Sequence, residues 1–333
     1  MPDVSPELLI DGVRAFHVTA ALKAAIKLDL FSKIAEGAHT GTDLAQRVGA
    51  SEHGVRILSD FLTIRGFLEK TDGSYRLTPS SAAFLDRRSP TYMGSIIDFL
   101  ASRERLEEAL LDPAATVRRG GVAGEGSIAP ENPIWVKFAR VMGPFMAPVA
   151  AQIAAHVAVF PRPPRRVLDI AAGHGLFGIM VAKQVPGAEI TAVDWAAVLE
   201  EARTNAERMG VAERFHMVPG SAFDADWGTG FDLVLLPNFL HHFNPETCVG
   251  LLRKVRKSLA PEGRVLASEF VPNQDRITPP QVARFSFEML LSTREGDAYT
   301  EAEYAAMARD AGFRGVSTSP LPPTPQSLVE FLH

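Results

Sequence analysis

The sequence predicts an α/β protein in which a doubly wound, mostly parallel sheet follows an N-terminal, all-helical domain with a winged-helix pattern. From residue 165 onward, short runs of branched apolar residues alternate with helical patterns, an order typical of a parallel sheet covered by helices. A glycine-rich turn, Gly173-His174-Gly175, follows the first of these runs. The N-terminal 90 residues instead show helical patterns that end in a hairpin signal.

The N-terminal pattern predicts a helical domain over residues 1–90. Residues 6–35 indicate one or two apolar helices, and Ser51 is expected to cap a later helix. Asp72-Gly73 separates two short strand-like runs, which is typical of a hairpin. Six basic and six acidic residues balance between Phe31 and Thr78, whereas binding to nucleic acid phosphates requires an excess of cations. We therefore expect no nucleic acid partner, and a DNA-binding regulator is the weaker alternative.

Residues 91–160 predict a helical linker. The segment from Trp135 to Met146 places four apolar side chains near one helical face: Phe138, Met142, Phe145 and Met146. Such a stripe indicates either core packing or an apolar wall for a flat ligand. Residues 141–161 carry no formal charge but include three prolines, a composition that favours a buried helix pair over a membrane span.

Residues 161–333 predict the sheet domain. The expected strands are Val167–Ile170, Glu189–Val193, Phe215–Pro219, Asp232–Pro237 and Arg264–Phe270. The expected helices between them are Leu176–Val185, Ala197–Met209 and Glu246–Leu259. The C-terminal pattern differs, since a helix over Glu301–Ala311 precedes two strands, Gly315–Ser319 and Ser327–Leu332. These two strands predict a closing antiparallel hairpin.

The glycine turn suits two classes of cofactor. Gly173, Gly175 and Gly178 satisfy the dinucleotide pattern G-x-G-x-x-G, and Asp194 follows at the end of the next strand. Asp169, however, lies directly before the turn. A carboxylate there would repel a pyrophosphate, whereas it would attract the sulfonium and ammonium groups of S-adenosylmethionine (SAM). With either cofactor, Asp194 would accept hydrogen bonds from the ribose hydroxyls. An NAD-dependent oxidoreductase is therefore the alternative function.

A family resemblance supports SAM. The run from Asp169 to Gly175, Asp-Ile-Ala-Ala-Gly-His-Gly, resembles the first motif of class I SAM-dependent methyltransferases, often D-V-G-G-G-x-G. The rest of the chain is similar to the plant-type small-molecule O-methyltransferases and their bacterial relatives. This resemblance implies a Rossmann-like methyltransferase sheet with a C-terminal antiparallel hairpin, SAM as cofactor, and a homodimer formed through the N-terminal domain. It also implies that residues 91–160 contribute to the acceptor pocket, with Phe138 and Met142 in its wall.

The resemblance implies further cofactor-binding positions. Gly220-Ser221-Ala222-Phe223 stands where the family has G-D-M-F, whose side chains flank the adenine, so Phe223 is expected to pack on the base. Ser221 replaces the family aspartate. The expected cofactor-binding set is Asp169, Gly173, Gly175, Asp194, Trp195, Ser221, Ala222, Phe223 and Pro237.

The resemblance also implies the catalytic residues. The segment from Phe231 to Phe243 aligns with the family pattern D-A-x-x-L-K-W-x-L-H-D-W, and His241 falls on the histidine that serves as general base. A phenol with a pKa of about 10 must lose its proton as the methyl group arrives, and an imidazole with a pKa of about 6.5 can accept that proton. Glu269 matches the acid that orients the base and stabilises the imidazolium.

The sequence departs from the family at several site positions. Pro237, Asn238 and His242 replace Lys, Trp and Asp, and we assign Asn238 and His242 to substrate binding. Ala298 stands where the family has a second acid, with Asp297 one residue away. Either Asp297 substitutes for that acid or His241 has a single carboxylate partner. A metal on His241, His242 and Glu269 is not expected, because vicinal histidines usually point apart.

The sequence therefore predicts a SAM-dependent enzyme that methylates a hydroxyl of a small aromatic or polyketide-like metabolite. A C- or N-methyltransferase of the same fold is the alternative. The net charge of −5 and pI near 6.0 give no support for an anionic membrane as partner. The single cysteine, Cys248, and an N-terminus without a basic signal region lead us to expect a cytoplasmic protein.

Overall fold

The computed structural model describes residues 4–332, which form two compact units that divide between Ser102 and Arg103. The sequence placed boundaries at residues 90 and 160 instead. The N-terminal unit contains, in chain order, α1 (Glu7–Arg14), α2 (Phe16–Lys27), α3 (Leu30–Ala35), α4 (Gly41–Val48), α5 (Glu52–Ile64), β1 (Leu68–Thr71), β2 (Ser74–Leu77), α6 (Pro79–Phe84) and, after a 3₁₀ turn at Gly94–Ile96, α7 (Ile97–Leu100).

The N-terminal unit matches its predicted turns but not its predicted helix count. Residues 7–35 form three helices rather than one or two, since Asp29 takes a left-handed conformation (φ +57°) that ends the helical run before α3. Ser51 caps α5 as expected, accepting the Gly54 N–H at 3.0 Å. Asp72 and Gly73 both have positive φ, as a two-residue hairpin turn requires, and β1 pairs antiparallel with β2.

The second unit contains the sheet. Its elements are α8 (Arg103–Leu110), α9 (Pro113–Arg119), α10 (Ile134–Val141), α11 (Gly143–Ala158), β3 (Arg166–Ile170), α12 (Leu176–Gln184), β4 (Glu189–Asp194), α13 (Ala196–Arg208), β5 (Phe215–Pro219), β6 (Phe231–Pro237), α14 (Pro245–Ser258), β7 (Leu259–Glu269), α15 (Pro280–Ala283), α16 (Phe285–Ser292), α17 (Glu301–Asp310), β8 (Gly315–Pro320) and β9 (Ser327–Leu332).

The seven strands of this sheet lie in the order β5-β4-β3-β6-β7-β9-β8. The strands from β5 to β7 are parallel, and β9 pairs antiparallel with both β7 and β8. Leu168 and Ile170 of β3 and Val234 and Leu236 of β6 are fully buried, because helices cover both faces of a parallel sheet. The predicted doubly wound sheet with a closing antiparallel hairpin is therefore confirmed.

The apolar segment before the sheet is two helices, not one. The axes of α10 and α11 meet at 69°, with the break at Met142. Pro144 in the first turn of α11 has no N–H with which to extend α10, whereas the first turn of a new helix tolerates it. No single helix in residues 4–332 is long and apolar enough to span a membrane, although α10 and α11 together pass that length and composition criterion.

Candidate active site

The glycine turn connects β3 to α12 at the carboxyl edge of the sheet. Ala171, Gly173 and Gly175 all have positive φ, at +54°, +57° and +73°. A Cβ on Gly175 would lie 3.0 Å from the Cβ of Ala202 and 3.1 Å from the Phe215 ring, so this position requires glycine for both conformation and space. Ala171 takes the left-handed conformation despite its Cβ, and the turn forms in spite of this departure from the family pattern.

Asp169 lies fully buried at the base of this turn. Its Oδ2 accepts the Gly178 N–H at 2.9 Å, while its Oδ1 is buried and accepts no hydrogen bond from any described residue. Burial, and then the nearby charge of Asp194, raise the pKa of Asp169 well above its usual value. A cation bound beside Oδ1 would reverse that shift and would satisfy the free oxygen.

Asp194 fixes the turn from the end of β4. Its Oδ2 accepts the Gly173 N–H at 2.8 Å and its Oδ1 accepts the Trp195 N–H at 2.7 Å. Burial raises the pKa of Asp194 to about 6. Each carboxylate oxygen has a second lone pair, so Asp194 can hold the turn and still accept the hydroxyls of a ribose. Trp195 contributes this backbone N–H, and its side chain is half-buried at the start of α13.

The predicted adenine-flanking segment lies after β5, at the same edge of the sheet. The Ser221 Oγ accepts the Phe223 N–H at 3.1 Å, so this hydroxyl holds the loop. The Phe223 ring is 38% exposed and packs edge-on against Phe243 at 5.0 Å. Ala222 is buried within the core, and Pro237 is buried at the end of β6. The structure therefore leaves part of Phe223 exposed, whereas little of the Ala222 side chain is accessible.

His241 and Glu269 form a buried pair across the ends of β6 and β7. Glu269 is the last residue of β7, and its Oε2 accepts the His241 Nδ1–H at 2.5 Å. Its Oε1 accepts the backbone N–H groups of Phe239 at 3.1 Å and Leu240 at 2.9 Å. The carboxylate is thus fixed by three hydrogen bonds, and it holds the proton of His241 on Nδ1. The Nε2 atom is left with its lone pair free.

Aromatic rings surround this pair. Phe285 of α16 contacts the His241 ring edge to face at a centroid distance of 4.9 Å, and it stacks on Phe270 at 3.9 Å. The centroid of the His242 ring lies 4.3 Å from that of His241 and 5.2 Å from that of Trp135. Burial, and then the charges of His241 and Arg105, lower the pKa of His242 well below its usual value. His242 is therefore neutral at physiological pH.

The position of the second family acid holds no carboxylate that reaches His241. Ala298 is fully buried. The Asp297 Oδ2 accepts a hydrogen bond from Arg276 Nη1 at 2.9 Å, and its Oδ1 accepts the Ala298 N–H at 2.8 Å. Within residues 4–332, Glu269 is the one carboxylate bonded to His241. Of the two alternatives left open by the sequence, the geometry matches the single carboxylate partner.

The predicted apolar wall is split by the bend between α10 and α11, so the expectation of one shared helical face was wrong. Phe138 of α10 stacks on His174 at 5.9 Å and borders Gly173. Met142 is buried at the bend, and Phe145 is half-buried at the start of α11. Met146 is buried and contacts the Asn238 side chain. Phe138 therefore lies at the glycine turn and Met146 at the end of β6.

Three residues at this edge were missed as site residues. Gly178 must be glycine, because a Cβ there would lie 2.6 Å from Ile190 Cγ2 and 2.9 Å from Asp169 Oδ2; its place in the glycine pattern was the available signal. His174 is buried, its Nδ1 accepts the Leu176 N–H at 3.1 Å, and burial lowers its pKa to about 4. Gln326 is buried beside Met146, and no sequence pattern marks it.

The edge as a whole fits a ligand that combines a cation, hydroxyl groups and a flat base. Asp169 offers a buried free oxygen for the cation, Asp194 offers lone pairs for hydroxyls, and Phe223 offers a partly exposed ring. SAM carries all three groups. In the part of the chain that the structure describes, no cluster of three or more His, Cys, Asp or Glu side chains has the arrangement of a metal site.

Comparison with known proteins agrees with this site. The sequence profile of the O-methyltransferase domain matches residues 135–314, and that of the O-methyltransferase dimerisation domain matches residues 10–87. The 3-hydroxy-5-methyl-1-naphthoate 3-O-methyltransferase of Streptomyces sahachiroi is 31% identical, over 94% of this chain and 91% of its own. The tetracenomycin polyketide synthesis 8-O-methyltransferase TcmO of Streptomyces glaucescens is 27% identical, over 94% and 93%.

Solved structures give the same assignment. A protein of Nostoc punctiforme PCC 73102, described provisionally as an O-methyltransferase, shares 48% identity with a TM-score of 0.96, over 99% of this chain and 100% of its own. PigF in complex with S-adenosylhomocysteine shares 26% identity with a TM-score of 0.84, over 99% and 100%. The chain therefore belongs to the SAM-dependent O-methyltransferase family that carries an N-terminal dimerisation domain.

Proposed function

We propose that this enzyme transfers a methyl group from SAM to a hydroxyl of a small aromatic or polyketide-like metabolite, with His241 as general base. The observation that carries the proposal is the buried hydrogen bond of 2.5 Å between His241 Nδ1 and Glu269 Oε2. It leaves the Nε2 lone pair as the proton acceptor, at the edge of the sheet that also holds the glycine turn.

The side chains around His241 favour a flat, apolar acceptor. Phe285 and the neutral His242 ring contact the imidazole, and Trp135 contacts His242. Aromatic walls of this kind bind planar ring systems. The relatives named above act on a hydroxynaphthoate and in the synthesis of a polyketide, which are acceptors of this shape. We assign Phe138, Met142, Phe145, Met146, Asn238 and His242 to the acceptor pocket.

Glu269 prepares His241 for proton transfer. Its hydrogen bond keeps the proton on Nδ1, so Nε2 can take the proton of the acceptor hydroxyl as the oxygen becomes nucleophilic. The imidazolium formed in this step is stabilised by the adjacent carboxylate. Because two backbone N–H groups also hold Glu269, the carboxylate is oriented before the acceptor binds and little reorganisation is needed.

SAM, when bound, supplies an electrophilic methyl group. In our proposal Asp169 and Asp194 face its cationic and ribose groups, Gly173 and Gly175 let the backbone approach it, and Phe223 packs on its adenine. Trp195, Ser221, Ala222 and Pro237 complete this site through backbone positions at the strand ends. The buried free oxygen of Asp169 supports the first of these assignments.

We further propose that the enzyme works as a cytoplasmic homodimer. The α1 helix buries no residue within its own chain, and Leu8, Leu9 and Val13 are 87%, 70% and 67% exposed. An apolar surface of this kind marks an interaction site, and the dimerisation profile covers most of this unit. Cys248 is the only cysteine in the sequence, which accords with a reducing compartment.

Mass spectrometry tests the reaction class directly. Enzyme and SAM are incubated with a panel of phenols, naphthols, enols and amines, and each product is examined for the added methyl group and its position. We expect O-methylated aromatic products, whereas methylation only at nitrogen or carbon would contradict the proposal. His241→Ala should lower turnover by about 100-fold or more and leave the Kd for S-adenosylhomocysteine within a few-fold. His216→Ala, at a position whose side chain is 58% exposed, is the matched control and should keep full activity.

A further inference from the structure

Two amide side chains, of the half-buried Asn238 and the buried Gln326, contact one sulfur atom at the end of β6. Asn238 follows β6, Gln326 precedes β9, and Met146 lies in α11. The Asn238 Nδ2 lies 3.7 Å from Met146 Sδ, and the Gln326 Nε2 lies 3.8 Å from the same sulfur. A thioether is a weak acceptor. Three segments distant in sequence thus bring two amides together around a poor hydrogen-bond partner.

Both amide oxygens in this group are buried without a donor. The Asn238 Oδ1 and the Gln326 Oε1 accept no hydrogen bond from any residue between 4 and 332, and the Gln326 side chain is only 1% exposed. Burying an unsatisfied carbonyl is costly, whereas an apolar side chain of the same size would not incur this cost. Two such oxygens, on side chains that contact the same sulfur, therefore indicate that a hydrogen-bond donor is bound there.

The strand registers place this pair at the edge that holds the catalytic groups. Pro237 pairs with Ser268 in the sheet, and Ser327 pairs with Glu269. Asn238 directly follows Pro237, and Gln326 directly precedes Ser327. The strand partners Ser268 and Glu269 are the last two residues of β7. Both Asn238 and Gln326 therefore lie at the level of the end of β7, which carries Glu269.

The backbone of Asn238 is set by the fold. Its φ is +53°, a left-handed conformation that asparagine adopts more readily than most residues. Its N–H donates to the Ser268 carbonyl at 2.8 Å, and its side-chain Nδ2 donates to the Ser268 Oγ at 3.2 Å. With Nδ2 donating to Ser268, the Asn238 oxygen is the atom left for a ligand.

We propose that Asn238 and Gln326 form a polar subsite of the acceptor pocket, which binds a second hydrogen-bond donor of the acceptor. This inference rests on the proposed function and adds to it the class of acceptor: an aromatic ring system with a further hydroxyl or N–H group that is not methylated. Two carbonyl oxygens favour a donor and disfavour a carboxylate, whose charge they would repel. The subsite therefore sets which ring position is presented to His241.

Matched acceptors test the subsite. The probes are 1-naphthol, 2-naphthol and the dihydroxynaphthalene isomers, each with SAM, and the readout is the ratio of kcat/KM for the best dihydroxynaphthalene to that for the better naphthol. Gln326→Met removes the acceptor oxygen with little change in volume. It should lower this ratio by about tenfold, as expected for a hydrogen bond of ordinary strength, and should leave kcat/KM for the naphthol within about threefold. The exposed Gln184→Met is the matched control and should change neither value.

A second measurement separates recognition from packing. Because Gln326→Met removes an unsatisfied buried oxygen, its Tm should equal or exceed that of the parent enzyme. A lower Tm with an unchanged ratio of kcat/KM between dihydroxynaphthalene and naphthol would mean that Gln326 only stabilises the fold or binds a buried water. That result would overturn the proposal. An unchanged ratio at any Tm would do the same.

Binding without turnover distinguishes this proposal from the proposed function. Calorimetry with S-adenosylhomocysteine present measures the Kd of each naphthol and dihydroxynaphthalene. If no probe is methylated but a dihydroxynaphthalene binds about tenfold more tightly than the naphthol, and Gln326→Met removes that preference, the subsite stands and the assigned reaction fails. If naphthols are methylated but the preference is absent, the reaction stands and the subsite is refuted.

Discussion

Glu269→Gln is the most informative single substitution in the catalytic pair. The glutamine carbonyl can still accept the Phe239 and Leu240 N–H groups, so the local backbone keeps its partners. Its NH₂ group, however, replaces the oxygen that lies 2.5 Å from His241 Nδ1. An N–H facing an N–H is unfavourable, and the imidazole therefore moves its proton to Nε2 and accepts at Nδ1. The atom that should receive the proton of the acceptor is then already protonated.

The size of the effect follows from this change of tautomer. Loss of the carboxylate that orients a catalytic histidine lowers turnover by about 10³- to 10⁴-fold, which corresponds to about 4–5.5 kcal/mol of transition-state stabilisation. At higher pH the deficit should narrow, because a phenol with a pKa of about 10 ionises without help from the enzyme.

The assay is a single-turnover rate at saturating SAM across pH, together with the Kd for S-adenosylhomocysteine. Near neutral pH, the rate of the Gln variant should be about 10³- to 10⁴-fold lower than that of the parent enzyme, and it should rise with pH. The Kd of the variant for S-adenosylhomocysteine should stay within a few-fold of the parent value. Glu330→Gln, in the adjacent strand β9, is the matched control and should leave the rate unchanged. A Glu269→Gln enzyme with near-normal turnover at neutral pH would refute the assigned roles of both residues.

Two further predictions concern the cofactor edge. The pKa of Asp194 is raised to about 6 in the free protein, and hydroxyl donors favour its ionised form. Calorimetry should therefore show that S-adenosylhomocysteine binding weakens as the pH falls through 6, by up to about tenfold per pH unit. A pH-independent Kd would contradict this prediction. Gly178→Ala should lower the free energy of unfolding by about 1–3 kcal/mol because its Cβ would overlap Ile190. Gly250→Ala, in the open on α14, should be neutral or stabilising by up to about 1 kcal/mol in the same denaturation experiment.

Much of the fold could be predicted from the sequence because each strand carries its own local signal. The observed bounds of β3 to β6 lie within a residue or so of the predicted ones, since buried parallel strands appear as short branched-apolar runs between turns. The bend at Met142 was missed because apolar periodicity alone does not show where a helix ends. Gly143-Pro144 was the available signal, because proline is favoured in the first turn of a new helix.

The site was predictable only where a motif or the resemblance carried it. His241 and Glu269 are 28 residues apart, and it is the pairing of β6 with β7 that brings their segments together. Gln326 could not have been found, because its partner Met146 lies 180 residues away and no pattern links them. The sequence also could not show that Asp297 pairs with Arg276 rather than with His241, since this pairing depends on a loop conformation.

A crystal structure of the enzyme with S-adenosylhomocysteine and an acceptor identified by mass spectrometry tests the central claim most directly. The account predicts that the hydroxyl oxygen to be methylated lies about 2.6–3.2 Å from His241 Nε2, with Nδ1 still bonded to Glu269. An acceptor whose hydroxyl contacts another group, with His241 Nε2 farther away than one bridging water can span, would contradict it.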